Sequence, residues 1–243
     1  MNTLISFFIL MCFTSVISKK LPAYISFCHQ GDPNLNECFA NAIAQVKPHL
    51  KNGIPEFQLP AMNPLFLPEA SLDNGESFRA TFKDIEVFHA YEFDVKYVNV
   101  DLKHAQFDMV LGLPRLRIKS KYSITGKLLI LQLNGNGRSD GNFTNVEAGI
   151  KMSGSKYTKG KKEYFNFNNK SLTLKFGHPV LRFDNLFQDN EELNERTNKI
   201  INENIESILE ELTPVLNRVI SDFVFGLIGR IFSRFSVEEL FPK

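Results

Sequence analysis

The chain has 243 residues, which is enough for one or two domains with a sizeable core. Its 28 Lys and Arg nearly balance its 27 Asp and Glu, so bulk charge argues against nucleic acid or an anionic membrane as the partner. The 23 Phe and 6 Tyr, with no Trp, mean that much apolar surface must be buried, either in a core or around a ligand.

The N-terminal stretch, residues 1–18, is apolar and carries no charged side chain. It is too short for a membrane-spanning helix followed by a stop signal, and Val16-Ile17-Ser18 stands where a signal peptidase would cut. We therefore predict a signal peptide over 1–18, a single domain over 19–243 and a secreted, extracellular protein. A buried or anchoring N-terminal helix is the alternative.

Cysteines and sequons agree with export. Cys12 lies inside the predicted signal peptide, which leaves Cys28 and Cys38 as an even pair, so we expect one disulfide. Two cysteines without a nearby His pattern do not make a metal site, and we predict none. Asn142 and Asn169 each begin an N-x-[ST] triplet and are candidate glycosylation sites.

The first predicted element after the signal is a short helix. Asp32-Pro33 is typical of a helix start, apolar residues recur at helical spacing as far as Leu50, and Asn52-Gly53 is typical of a helix end. The segment that follows, 53–69, contains four prolines. It is neither a helix nor a central strand, and we expect an extended connector.

From residue 76 to about 186, apolar and polar residues alternate, as they do in antiparallel strands with one dry face. The alternation changes phase at Tyr97-Val98, which indicates a bulge that bends the sheet. The glycine-rich stretch 134–142 predicts a hairpin turn, and the lysine-rich stretch 156–162 predicts a solvated hairpin tip.

The last predicted element is a long helix that begins near Asp189. It carries an amphipathic stripe as far as Leu212, is predicted to kink at Pro214, and is then apolar on most sides as far as Phe232. A helix that is apolar nearly all round must be surrounded. We therefore predict an α+β fold in which a strongly curved antiparallel sheet wraps the C-terminal helix.

A search for catalytic motifs gives one candidate. Residues 137–141 match G-x-S-x-G, so an esterase built on Ser139 is an alternative, with His178 as base and Glu147 or Glu163 as acid. The motif needs a helix after the serine, whereas the following residues alternate like a strand. We predict that the chain is not an enzyme and needs no cofactor.

Several stretches taken together resemble the insect Takeout and juvenile-hormone-binding proteins. They are the Cys28 and Cys38 pair, the Pro-rich 53–69, "YSITGKLLILQLNGNG" (122–137), "NLFQDNEELNERTNKIINEN" (185–204) and "EELFP" (238–242). The resemblance implies a tubular lipid-binding fold with an internal hydrophobic tunnel for an elongated ligand. It is closer to the Takeout-like members, because members that carry juvenile hormone typically have a second disulfide.

The leading hypothesis is a secreted carrier for an isoprenoid, a fatty-acid derivative or a quinone-like molecule. The predicted tunnel-lining residues are Phe93, Val95, Tyr97, Met109, Leu111, Ile118, Tyr122, Leu131, Leu174, Phe176, His178, Val219, Phe223 and Leu227. Tyr97, Tyr122 and His178 are predicted to orient the ligand head. The alternative is a secreted interaction protein with a solid core that signals through its surface. We expect a monomer that binds a small hydrophobic ligand and does not insert into a membrane. Whether it also binds a receptor is left open.

Overall fold

The computed structural model describes residues 21–73, 75, 78–129, 131–187 and 190–243. The predicted signal peptide lies outside the described residues. The helices are α1 (Leu35–Leu50), α2 (Glu191–Glu203), α3 (Ile205–Arg234) and α4 (Val237–Leu240), and one 3-10 turn spans Pro55–Phe57. The strands are β1 (Leu65–Asp73), β2 (Phe78–Phe88), β3 (Asp94–Asp101), β4 (Gln106–Leu128), β5 (Leu131–Lys159), β6 (Lys162–Lys175) and β7 (Val180–Phe183).

The described strands form one antiparallel sheet in the order β1-β2-β4-β5-β6. Strands β4 and β5 pair along almost their whole length and form its backbone. The free side of β4 is shared by β2 and β3, and that of β5 by β6 and β7. Strand β1 lies at an edge and contains Pro68, so the segment is no central strand, as predicted. The predicted connector is shorter than 53–69, however, because β1 begins at Leu65.

The sheet is wrapped around α3, as predicted. Helix α3 contacts β1 and also β6, which are the two ends of the strand order. A helix that touches both edges of one sheet lies inside its curl. Register shifts at Lys83–Glu86, Val95–Tyr97 and Ser153–Gly154 supply bends, and the second confirms the predicted bulge beside Tyr97.

Helix α1 lies against β3 and carries the disulfide. Cys28 and Cys38 are bonded, which confirms the predicted pairing. The Asn36 side chain fixes the helix on the sheet, because its Oδ1 accepts a hydrogen bond from the backbone N–H of Val100 at 2.8 Å.

The glycine-rich stretch 134–142 is not the predicted hairpin turn; it lies within β5. Its glycines allow another backbone segment to cross it closely. A Cβ on Gly135 would lie 2.5 Å from the carbonyl oxygen of Leu186, and a Cβ on Gly137 would collide with the carbonyl of Asp184. The predicted tip at 156–162 is confirmed, since β5 ends at Lys159 and β6 begins at Lys162.

The predicted single C-terminal helix is two helices, which separate at Asn204, and α3 continues through Pro214. Asn204 leaves helical geometry and its Nδ2 donates to the carbonyl of Ile200 at 2.8 Å. Pro214 is accommodated on an exposed side of α3. The predicted cap, Asp189, lies outside the described residues, and Asn190 Oδ1 accepts from Leu193 N instead. No described helix is long and apolar enough to cross a membrane.

Candidate functional site

Three clusters of buried apolar side chains lie between the sheet and α3. The Phe107 cluster includes Val100, Phe107, Ile150, Phe165, Phe225 and Phe232. The Leu133 cluster includes Tyr122, Ile124, Leu133, Leu186, Ile208 and Leu212. The Phe235 cluster consists of Leu50, Ile54, Phe57, Leu59, Leu227 and Phe235. Because α3 contributes to all three, it is the axis on which the interior is assembled.

A groove of about 430 Å³ opens between the β5–β6 hairpin and the C-terminal half of α3. We call it the aromatic groove; its lining residues are Met152, Tyr157, Phe165, Asn166, Phe167, Lys170, Phe225, Ile228, Gly229, Phe232 and Ser233. The α3 members recur every three or four positions and so occupy one helix face. The groove therefore has one wall from the sheet and one from the helix.

Ring-to-ring contacts stabilise the walls of the aromatic groove where they meet the Phe107 cluster. The rings of Phe167 and Phe232 lie edge to face with centroids 5.0 Å apart, and those of Phe165 and Phe232 do so at 5.6 Å. Gly229 keeps the groove open on the helix side, because a Cβ built there meets no heavy atom within 4 Å. The result is an apolar surface with unfilled space above it.

Tyr122 is the best-anchored polar group among the predicted residues. Its hydroxyl donates to the carbonyl oxygen of Asp184 at 2.6 Å. Burial of the phenol, helped by the negative charge of Asp184, raises the pKa of Tyr122 to about 12. Tyr122 thus holds the segment after β7 against β4, and its proton is already used within the protein.

Most of the predicted lining residues lie in the three clusters or pack against them, through both the sheet and the helix. Met109, Leu111 and Leu174 pack on the Phe107 cluster. Leu131, Tyr122 and Val219 belong to the Leu133 cluster or pack on it. Phe93, Phe223 and Leu227 do the same at the Phe235 cluster. The structure thus gathers these predicted residues around α3 in three groups rather than at one site.

Five predicted residues are not brought into these clusters. Tyr97 is 53% exposed, because the register shift after Val95 turns its side chain to the outer face, and His178 is exposed as well. Val95 and Ile118 are half-buried outside the clusters, and so is Phe176, whose ring packs on Phe143 at 5.7 Å. Neither Tyr97 nor His178 is placed to orient a ligand inside the sheet.

The predicted lining set contains no residue of the aromatic groove. One signal for it was present in the sequence, since Phe165 and Phe167 alternate with asparagines in "YFNFN" (164–168).

The sequence analysis also did not identify Asn217 of α3 as a buried polar residue. Its Oδ1 is buried and has no hydrogen-bond partner among the described residues, which no sequence pattern indicates.

The esterase alternative fails on geometry. Ser139 lies in the middle of β5, and its Oγ is 2.7 Å from the Oγ of Ser120 on the neighbouring strand β4. A nucleophile elbow requires a sharp turn between a strand and a helix. Ser139 therefore serves as a partner in a strand-to-strand hydroxyl pair.

This architecture is shared with known proteins. The family model for haemolymph juvenile hormone binding protein matches residues 7–242. The chain is 24% identical over 237 residues to circadian clock-controlled protein daywake of Drosophila melanogaster, covering 93% of this chain and 90% of that protein. The Drosophila yakuba daywake protein is 26% identical over 204 residues, which cover 79% of this chain and 78% of that protein. The crystal structure of Epiphyas postvittana Takeout 1 matches with a TM-score of 0.79 at 20% identity, covering 90% of this chain and 100% of that chain, and shows the shared fold.

Proposed function

Because the chain belongs to the haemolymph juvenile hormone binding protein family, we propose that it is a secreted carrier of an elongated hydrophobic ligand. The ligand is an isoprenoid, a fatty-acid derivative or a quinone-like molecule, held against α3. The aromatic groove is the observation that carries this proposal, because its volume of about 430 Å³ and its largely apolar lining are those of a small-molecule site.

The energetics of such a site need few hydrogen bonds. Burying roughly 300 Å² of ligand apolar surface contributes about 7 kcal/mol before the entropy of association is subtracted. The phenyl rings of the groove are held by their edge-to-face contacts, so little further ordering is needed on binding. This supports a carrier with micromolar or tighter affinity.

We propose that the ligand tail continues from the groove along α3, in an internal tunnel. The half-buried residues Ile220, Val224 and Ile228 lie on one face of α3 against the Phe107 cluster. Leu111 and Leu174 pack on the same cluster from the sheet. Side chains that are only partly buried can move apart around a guest at lower cost than a fully buried core.

Secretion and glycosylation belong to the same proposal. The side chains of Asn142 and Asn169 are exposed, so a glycosyltransferase can reach both. Expression in a secreting insect cell line, followed by N-terminal sequencing and intact mass before and after glycosidase treatment, tests both points. An intact residue 1 on intracellular protein would overturn them.

The carrier function is tested on protein purified from the secreting cell. Extraction with organic solvent and mass spectrometry of the extract should yield a stoichiometric hydrophobic compound, and a hydrophobic fluorescent probe should bind once that compound is removed. A clean extract together with no probe binding would overturn the carrier proposal and favour the surface-signalling alternative.

A further inference from the structure

Two lysines of the β5–β6 hairpin project from the side of the sheet that faces α3. Lys170 is directly opposite Met152, and Lys156 is directly opposite Phe165. Residues that face each other across an antiparallel pair point to the same side of the sheet. Met152 and Phe165 are buried against the Phe107 cluster, so both lysines start from the inner face.

Each of these ammonium groups lies over an aromatic ring instead of beside an acid. Lys170 Nζ is 5.8 Å from the ring centroid of Phe225, and Lys156 Nζ is 5.8 Å from that of Phe165. Across the described ranges, the side chain of neither lysine forms an ion pair or a hydrogen bond. Such a ring contact is weaker than a charge-assisted hydrogen bond to an anion.

Two other lysines of β6 are paired with carboxylates instead. Lys162 is paired with Glu239 at 2.6 Å, and Lys175 with Glu147 at 3.7 Å. The lining of the aromatic groove includes Lys170 and no carboxylate. The groove is thus an apolar slot with a cation at its rim and a second cation beside it, which is the complement of an amphiphile with an anionic head.

We propose that the aromatic groove binds single-chain carboxylates of the long-chain fatty acid class. The apolar chain lies between the phenyl rings and α3, and the carboxylate accepts hydrogen bonds from Lys170 and Lys156. This inference rests on the proposed carrier function and narrows its ligand. It assigns the head-group contacts to two lysines instead of to Tyr97 and His178.

The test compares ligands that differ only in the head group. Displacement of a bound hydrophobic probe is measured with oleate, methyl oleate and oleyl alcohol, below the concentration at which oleate aggregates, on the full secreted protein. Wild type is compared with Lys170→Met, Lys170→Arg and Lys156→Met. Lys161→Met is the matched control, because Lys161 lies at the hairpin tip outside the groove lining. The substitutions at 170 leave the Asn169 sequon intact.

We expect oleate to bind wild type at least about tenfold more tightly than methyl oleate, and Lys170→Met to remove most of that difference. Affinity for methyl oleate should be unchanged in every variant, Lys170→Arg should retain oleate binding, and Lys161→Met should behave as wild type. Equal affinity for oleate and methyl oleate, or oleate binding that survives Lys170→Met and Lys156→Met together, would overturn the inference and leave the carrier function standing. If the probe binds and none of the three compounds displaces it, the inference fails while a carrier of another ligand class stands. No probe binding together with a clean extract would overturn both proposals.

Discussion

Asn198 of α2 holds the backbone of Phe183 in β7 with both ends of its amide. The N–H of Phe183 donates to Oδ1, and Nδ2 donates to the carbonyl of Phe183, each at 2.8 Å. Asn202 does the same with Leu181, one helical turn further on. Four helix residues rise about 6 Å and two strand residues about 6.6 Å, so asparagines at this spacing can serve as the partner of a strand edge.

Replacing Asn198 with Asp should therefore destabilise the protein. The change removes the donor to Phe183 and places a negative charge at a side chain that is 6% exposed. We expect the free energy of unfolding in urea to fall by about 2–4 kcal/mol. Asn41→Asp, at an exposed position of α1, is the control and should change it by less than about 0.5 kcal/mol. Equal effects of the two variants on the free energy of unfolding would contradict a stabilising role for the hydrogen bonds between the Asn198 amide and β7.

Local patterns predicted those parts of the fold that depend on neighbouring residues. The α1 boundaries, the tip at 156–162 and the apolar second half of α3 were all visible as periodicity or turn chemistry. The role of Gly135 and Gly137 could not be predicted in this way. It depends on the backbone of 184–186, about fifty residues away in sequence, which crosses β5 at these glycines. A glycine required by a close approach looks, in the sequence, like a glycine required by a turn.

The aromatic groove was not predicted from the sequence, although the inward side of several strands was. Alternation identifies which face of a strand is apolar. It predicted that Met109 and Leu111 face the interior, and both pack against the Phe107 cluster. It does not show where the opposing surface leaves space. The aromatic groove exists because Gly229 lies across from Phe165 and Phe167, and that pairing of elements is a property of the folded chain.

Tyr122 gives a testable dependence of stability on alkaline pH. Its pKa is raised from 10.0 to about 12 in the folded protein, so folding favours the neutral phenol. This contribution is fully present below pH 10 and is lost as the pH rises from 10 to about 12. Tyr122→Phe should lose about 1 kcal/mol near pH 8, where the hydrogen bond to Asp184 is intact, and should flatten the decline over that window.

Unfolding by urea at a series of pH values between 8 and 12, with Tyr97→Phe as the exposed control, measures this. The control should follow wild type throughout. A Tyr122→Phe curve parallel to that of wild type would mean that the buried phenol does not cause the alkaline loss.

Asn217 predicts a stabilising substitution. Its buried Oδ1 lacks a hydrogen-bond partner in the described part of the chain, and an unpaired buried amide costs about 1–3 kcal/mol. Leu is similar in size and a better helix former. Asn217→Leu should raise the free energy of unfolding by about 1–2 kcal/mol, whereas Asn202→Leu, whose amide is paired with Leu181, should lower it. A loss of stability in Asn217→Leu would show that the amide is satisfied in solution.

The two glycines in the second half of α3 provide a matched pair for testing the aromatic groove itself. A Cβ at either Gly226 or Gly229 meets no heavy atom within 4 Å, but only Gly229 lines the groove. Changing either to Leu replaces a poor helix former with a good one, so both variants should gain up to about 1 kcal/mol in the free energy of unfolding.

Ligand binding should separate the two variants. The Leu side chain at 229 projects into the space that we assign to the ligand, so affinity for a hydrophobic probe should fall by at least about tenfold in Gly229→Leu. Gly226→Leu should bind the probe as wild type does. Because both proteins are expected to be at least as stable as wild type, misfolding does not explain a loss confined to position 229. Undiminished binding by a folded Gly229→Leu would place the ligand elsewhere along α3.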